Sequence, residues 1–149
     1  MKKQKNRWIM LFCICCNTFC FGGVYAWSAF SGELANYMGW DYSKVTVAYS
    51  IMLMCVALMG LVGGMLLQRF GARKLMIAAG IMWGLGWFAT GMAGSIIMLY
   101  ASFGILAGCA SGFGYNPGVV TAVSWFPDKK GFASGMAVGT CGMASLIVA

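Results

Sequence analysis

Polar positions in this chain are gathered into short clusters, and the apolar positions between them run unbroken. Lysine, arginine, aspartate and glutamate leave four uncharged runs, at 8–32, 45–68, 75–127 and 131–149. A helix needs about 20 apolar residues to cross a hydrocarbon layer about 30 Å thick. The first two runs each fit one crossing, the third fits two with a turn near "TGMAGS" (Thr90–Ser95), and the last fits one. The pattern therefore predicts helical spans at about 8–30, 45–67, 75–94, 96–122 and 131–149. Isolated strands leave backbone groups unsatisfied in lipid, so the expected fold class is all-α, a polytopic membrane helical bundle.

Composition agrees: 61% of residues are hydrophobic, only 9% are charged, and mean hydropathy is +0.82. The opening "MKKQKNR" resembles the basic start of a secretory signal, but the run behind it exceeds the 7–15 residues of a signal core and contains Trp8, Tyr25 and Trp27.

The charges orient the bundle. Lys2, Lys3, Lys5 and Arg7 precede span 1, Arg69, Arg73 and Lys74 separate spans 2 and 3, and Lys129 and Lys130 separate spans 4 and 5. Lys44 alone falls on the opposite side, with Glu33 and Asp41. The positive-inside rule places the cation-rich side, and with it the N-terminus, in the cytoplasm of a cell-membrane protein. The net charge of +7 is accounted for by this asymmetry and gives no reason to expect a nucleic-acid partner. The expected partner is the lipid bilayer.

Catalytic and metal chemistry find no support. Glu33, Asp41 and Asp128 are expected in loops, no span carries an acid or base that could relay protons, and there is no histidine. Cys13, Cys16 and Cys20 share a helical face, a spacing that a soft metal could use, but buried thiols ordinarily act as small apolar groups. No enzyme, cofactor or metal site is expected.

The spans instead carry glycine and isolated polar groups. Gly104, Gly108 and Gly112 repeat every four residues, as do Gly131, Gly135 and Gly139, a spacing that lets membrane helices pack closely. In span 1, Asn17, Phe21, Tyr25 and Ser28 fall on one helical face. In span 4, "GFGYNPG" places Tyr115 and Asn116 before Pro117, which lacks an N–H and crowds the carbonyl of Phe113, so a helix break is expected there. Loosened backbone at membrane depth lines wet cavities in transporters or simply shapes a bundle. Cavity-lining and structural roles are both open for Tyr25 and Tyr115, and a structural role is favoured for Asn17, Ser28 and Asn116.

The loop "GMLLQRFGARK" resembles the signature of the major facilitator superfamily, with Gly64, Arg69, Gly71, Arg73 and Lys74 matching and Gln68 where an acid is usual. "SWFPDKKGFASGMAVGTCGMAS" (Ser124–Ser145), "NRW" (Asn6–Trp8) and "GVYAWSAF" (Gly23–Phe30) resemble the oxalate/formate antiporter family within it. The resemblance implies twelve spans in two six-helix halves, of which residues 1–149 supply about the first five, the C-terminal half being absent. It implies secondary active transport of small organic anions (oxalate, formate or related mono- and dicarboxylates) by alternating access, with the loop latching helix ends. It also implies that Tyr25 and Tyr115 lie at the substrate. No lysine or arginine occurs within the spans, so an anion's countercharges are expected from the missing half. The alternative class is a small membrane subunit or assembly protein with no transport role.

Overall fold

The computed structural model describes residues 7–148, with side chains to Ala144. Lys2, Lys3 and Lys5 of the basic cluster, Asn6 and Ala149 lie outside the described residues. Seven α-helices follow in order: α1 (Arg7–Phe21), α2 (Trp27–Met38), α3 (Tyr42–Phe70), α4 (Ala72–Gly91), α5 (Ile96–Leu99), α6 (Gly108–Trp125) and α7 (Lys130–Val148). A 3-10 segment, Gly22–Ala26, welds α1 to α2, and a π-helical segment, Tyr100–Ala107, welds α5 to α6. Among the described residues there is no strand.

Five rods result. Three of them, Arg7–Met38, Tyr42–Phe70 and Ile96–Trp125, are long and apolar enough by length and composition to cross a membrane. The α4 rod has 20 residues, about 30 Å at 1.5 Å per residue. The outer surface is as apolar as the core: Leu61 is 73% exposed, Phe88 69% and Ile97 75%. Such a surface would aggregate in water and is at home in lipid.

Turn chemistry sets the ends of the rods. Gly39 adopts a left-handed conformation at φ +65°, and the N–H groups of Gly39 and Trp40 both donate to the Ala35 carbonyl, which closes α2. This stop comes well past the last uncharged position of the first run, so Glu33 belongs to α2 rather than to a loop, on an exposed face. Gly71, at φ +78°, serves at once as the last cap of α3 and the first of α4. Ser95 caps α5 by accepting from the Met98 N–H at 3.3 Å.

The core is organised around α6, which touches α1, α3, α4 and α7. The stripe Gly104, Gly108 and Gly112 faces α3. A β-carbon on Gly108 would lie 2.8 Å from Cys55 Cβ and 3.0 Å from the Met52 carbonyl oxygen, a spacing only glycine permits. The second stripe behaves differently: nothing within 4 Å faces Gly131, Gly135 or Gly139 among the described residues. One aromatic cluster fills the space between α2, α4 and the π-helical segment, with Trp27 stacked on Phe103 at 3.9 Å and Trp87 edge-on to Phe103.

The expected break at Pro117 is not where the backbone departs from α-helix. Helix α6 is continuous through that residue, and Pro117 is buried beside Gly63 of α3. The missing hydrogen bond is a local loss that packing tolerates, and the small neighbours on α3 give the ring room. The irregular backbone lies instead at Gly22–Ala26 and Tyr100–Ala107.

Candidate functional site

The 3-10 segment determines where the polar face of the first rod points. It winds at three residues per turn instead of 3.6, so the angular phase of the rod shifts across it. Phe21 and Tyr25 still share one cleft, and Tyr25 and Ser28 a second space, so of the four only Asn17, within α1, is directed elsewhere. Phe21 is buried, Tyr25 is 56% exposed, and Asn17 turns toward a different cavity, of about 500 Å³, beside Arg73 and Met76. The Asn17 Oδ1 atom is buried without a hydrogen-bond partner among the described residues.

Tyr25 and Tyr115 come together. Both line a cleft of about 90 Å³ at the middle of the bundle, between the 3-10 segment, α3, α6 and α7, with Phe21, Leu53, Ser111 and Cys141. Neither tyrosine hydroxyl has a hydrogen-bond partner among the described residues, and no lysine, arginine, aspartate or glutamate lines the cleft. Ser111 is 5% exposed and its hydroxyl is likewise unpartnered, so it adds a third donor. Sequence reasoning missed Ser111. The available signal was its spacing, one helical turn before Tyr115.

The register of this cleft is held by α1 against α7. Thr18, fully buried, shares a 3.0 Å hydrogen bond with Thr140. A β-carbon on Gly22 would collide with the Cys141 carbonyl oxygen and with Ala144, so the two backbones touch at the start of the 3-10 segment. Tyr25 therefore hangs from a segment pinned on one side.

A second chamber, of about 270 Å³, lies between α2 and the first turns of α3 and includes Tyr25, Ser28 and Tyr49 in its wall. Tyr25 thus belongs to both spaces. Asn116 is exposed and, like Pro117, stands outside the central cleft.

At the opposite end from the Gly39 turn, Gln68, Arg69, Arg73 and Lys74 are exposed, and none of their side chains makes a hydrogen bond or ion pair among the described residues. Arg69 lies 5.9 Å from the Phe70 ring centroid. Gly64 has open space around it. The loop is thus presented outward, with its turn supplied by Gly71. At this same end Arg7 pairs with Asp128 at 3.6 Å and lies over the Phe126 ring. Cys13, Cys16 and Cys20 are exposed on α1, and no group of three or more potential metal-ligating His, Cys, Asp or Glu occurs among the described residues.

Apolar rods thus enclose a small cleft without charged side chains, in which the Tyr25, Ser111 and Tyr115 hydroxyls are the polar side-chain oxygens. Residues 7–149 match the Major Facilitator Superfamily, and the chain belongs to that family. It is 36% identical over 143 residues to the uncharacterized MFS-type transporter YhjX of Escherichia coli (strain K12), which covers 96% of this chain and 36% of that protein. It is 32% identical over 142 residues to the oxalate:formate antiporter of Oxalobacter formigenes, covering 95% and 34% respectively. Monocarboxylate transporter 3 of Mus musculus is 29% identical over 131 residues, 87% of this chain and 27% of that protein. The resemblance to the oxalate/formate antiporter branch thus extends over nearly the whole chain. The chain spans about a third of the length of the curated relatives it matches. It is a multi-pass membrane protein of a transporter family and not an enzyme.

Proposed function

We propose that this chain forms the first part of the N-terminal half of a secondary carrier for small carboxylates, with oxalate, formate and related mono- and dicarboxylates as the candidate substrates. It lies in the cell membrane with its N-terminus in the cytoplasm. The observation that carries this reading is the convergence of the Tyr25, Tyr115 and Ser111 hydroxyls, all without partners among the described residues, on one cleft free of charged side chains.

Hydroxyls donate hydrogen bonds to a carboxylate without adding a full charge to the membrane interior. They do not neutralise it, and burying an unpaired anion is very costly. The countercharge comes from the half of the carrier that lies beyond these spans. The cleft is thus one wall of a site shared between two halves, which also suits alternating access, since a site between two bodies opens to either side as they rock. Gly71 gives the loop between α3 and α4 its turn, and Gln68, Arg69, Arg73 and Lys74 are presented for the other half to latch.

Tyr25→Phe and Tyr115→Phe in the full-length carrier test this. Each loses one hydrogen bond to a charged group, about 1.5–3 kcal/mol, or roughly ten- to hundredfold in apparent affinity. Membrane abundance should stay near wild type because the rings remain. Unchanged carboxylate affinity in both variants would make these tyrosines structural. Absence of carboxylate movement by the unaltered carrier would favour a non-transporting membrane subunit.

A further inference from the structure

The chamber between α2 and α3 has a chemistry that the central cleft does not explain. Six hydroxyl-bearing residues line its volume of about 270 Å³: Tyr25, Ser28, Ser31, Tyr42, Thr46 and Tyr49. Two of them have spent their protons on their own helices, since Ser31 donates to the Ser28 carbonyl at 3.3 Å and Thr46 to the Tyr42 carbonyl at 3.0 Å. The hydroxyls of Tyr25, Ser28, Tyr42 and Tyr49 have no partner among the described residues. These four hydroxyls, three of them on exposed residues, are free to donate into one space, and no carboxylate or amide side chain in the wall competes for them.

The surrounding field has the same sign. Tyr42 opens α3, a helix of 29 residues, so the positive end of its dipole lies at the chamber, although the Lys44 and Val45 N–H groups are already bonded to the Asp41 carbonyl. Asp41 precedes that turn, but Lys44 pairs with it at 3.0 Å and offsets its charge. The wall holds no negative charge to favour a cation, and its free hydroxyls can turn their protons toward an anion. At about 30 Å³ per water, the volume equals roughly nine waters, enough for a carboxylate of a few carbons with part of its hydration. Tyr25 stands in the walls of both chamber and cleft.

We propose that this chamber is a second carboxylate subsite, entered from the side of the 39–41 turn. Substrate docks on Ser28, Tyr42 and Tyr49 and then passes Tyr25 into the central cleft. This rests on the carboxylate reading of that cleft and adds an outer station to it. The chamber's donors replace part of the anion's hydration before the cleft removes the rest, so the desolvation cost is divided between two steps.

The test uses the full-length carrier in proteoliposomes of determined orientation, with oxalate and formate supplied from each side in turn. Tyr42→Phe and Tyr49→Phe should raise KM from the 39–41 side by about tenfold, the worth of one hydrogen bond to a charged group. KM from the opposite side should stay within about twofold, because substrate arriving there reaches the central cleft first. Tyr115→Phe should raise both. Unchanged KM for Tyr42→Phe and Tyr49→Phe, with Tyr115→Phe still impaired, overturns the outer subsite and leaves the cleft reading intact. Equal increases from both sides would merge the two spaces into one site and overturn a separate station. No effect of any of the three tyrosines, or no carboxylate movement by the unaltered carrier, overturns both readings.

Discussion

Gly112 of α6 stands where two helix backbones nearly touch. A β-carbon there would lie 2.8 Å from Met59 Cβ, 2.9 Å from the Val56 carbonyl oxygen and 3.0 Å from the Gly60 nitrogen. Two of those three atoms belong to the backbone of α3, so no side-chain rotation can make room. In Gly112→Ala two effects compete. Alanine inside a helix gains about 0.5–1 kcal/mol over glycine through backbone entropy. Forcing a methyl into a filled interface costs about 1–3 kcal/mol. The steric cost wins, with a net loss of about 1 kcal/mol, because the 29-residue α3 must shift as a unit to relieve it. For chains of 150–250 residues that corresponds to a fall in Tm of roughly 2–4 °C. The assay is thermal unfolding of detergent-solubilised protein fused to a fluorescent reporter, read as the fraction that stays monodisperse after heating. Gly80→Ala is the control: Gly80 lies within α4 with nothing inside 4 Å, so the same substitution should leave Tm unchanged or raise it slightly. If Gly112→Ala melts at or above wild type while Gly80→Ala behaves as expected, the close approach of α3 and α6 is wrong.

Two further outcomes can be checked. Gly71 has φ +78°, where a β-branched side chain is strained by about 1–3 kcal/mol, so Gly71→Val should lower transport more than its loss of membrane abundance explains. Gly71→Asn should be milder and Gln68→Asp tolerated, and full transport by Gly71→Val would reduce the loop to a connector. For orientation, a single cysteine at Asn36, exposed on α2, should react with an impermeant maleimide in intact cells, while one at Lys129 should not. The reverse labelling pattern would invert the bundle.

Much of the bundle was legible because membrane helices obey rules that act on each segment separately. A run without charges must bury its backbone hydrogen bonds internally, so span and helix coincide. The turn at Thr90–Ser95 was visible as small and turn-forming residues, and helix α4 does end at Gly91. The Gly104–Gly112 stripe was visible as spacing, and it does meet α3. The end of the first rod was not legible from charge, because Glu33 sits on an exposed helical face and it is the Gly39 conformation that stops the helix. Of the face from Asn17 to Ser28, Phe21, Tyr25 and Ser28 line the two spaces that meet at Tyr25, whereas Asn17 is directed to a separate cavity beside Arg73. At Pro117 the local rule gave a break, but burial against Gly63 keeps the helix running.

The sequence by itself determined the solvent, the helical class and the family, since each follows from hydrophobic run length, charge position or short motifs. It also singled out Tyr25 and Tyr115 as residues of interest. Only the tertiary structure decided that the two tyrosines share one cleft and that Ser111 joins them. It also decided that Tyr25 faces a second, hydroxyl-lined chamber beside Tyr42 and Tyr49. The reason is geometric. Which side chains converge depends on the angular phase of several helices at once. That phase is set by backbone contacts far apart in sequence, such as Gly22 against Cys141 and Thr18 against Thr140, and by the 3-10 and π-helical turns that alter it.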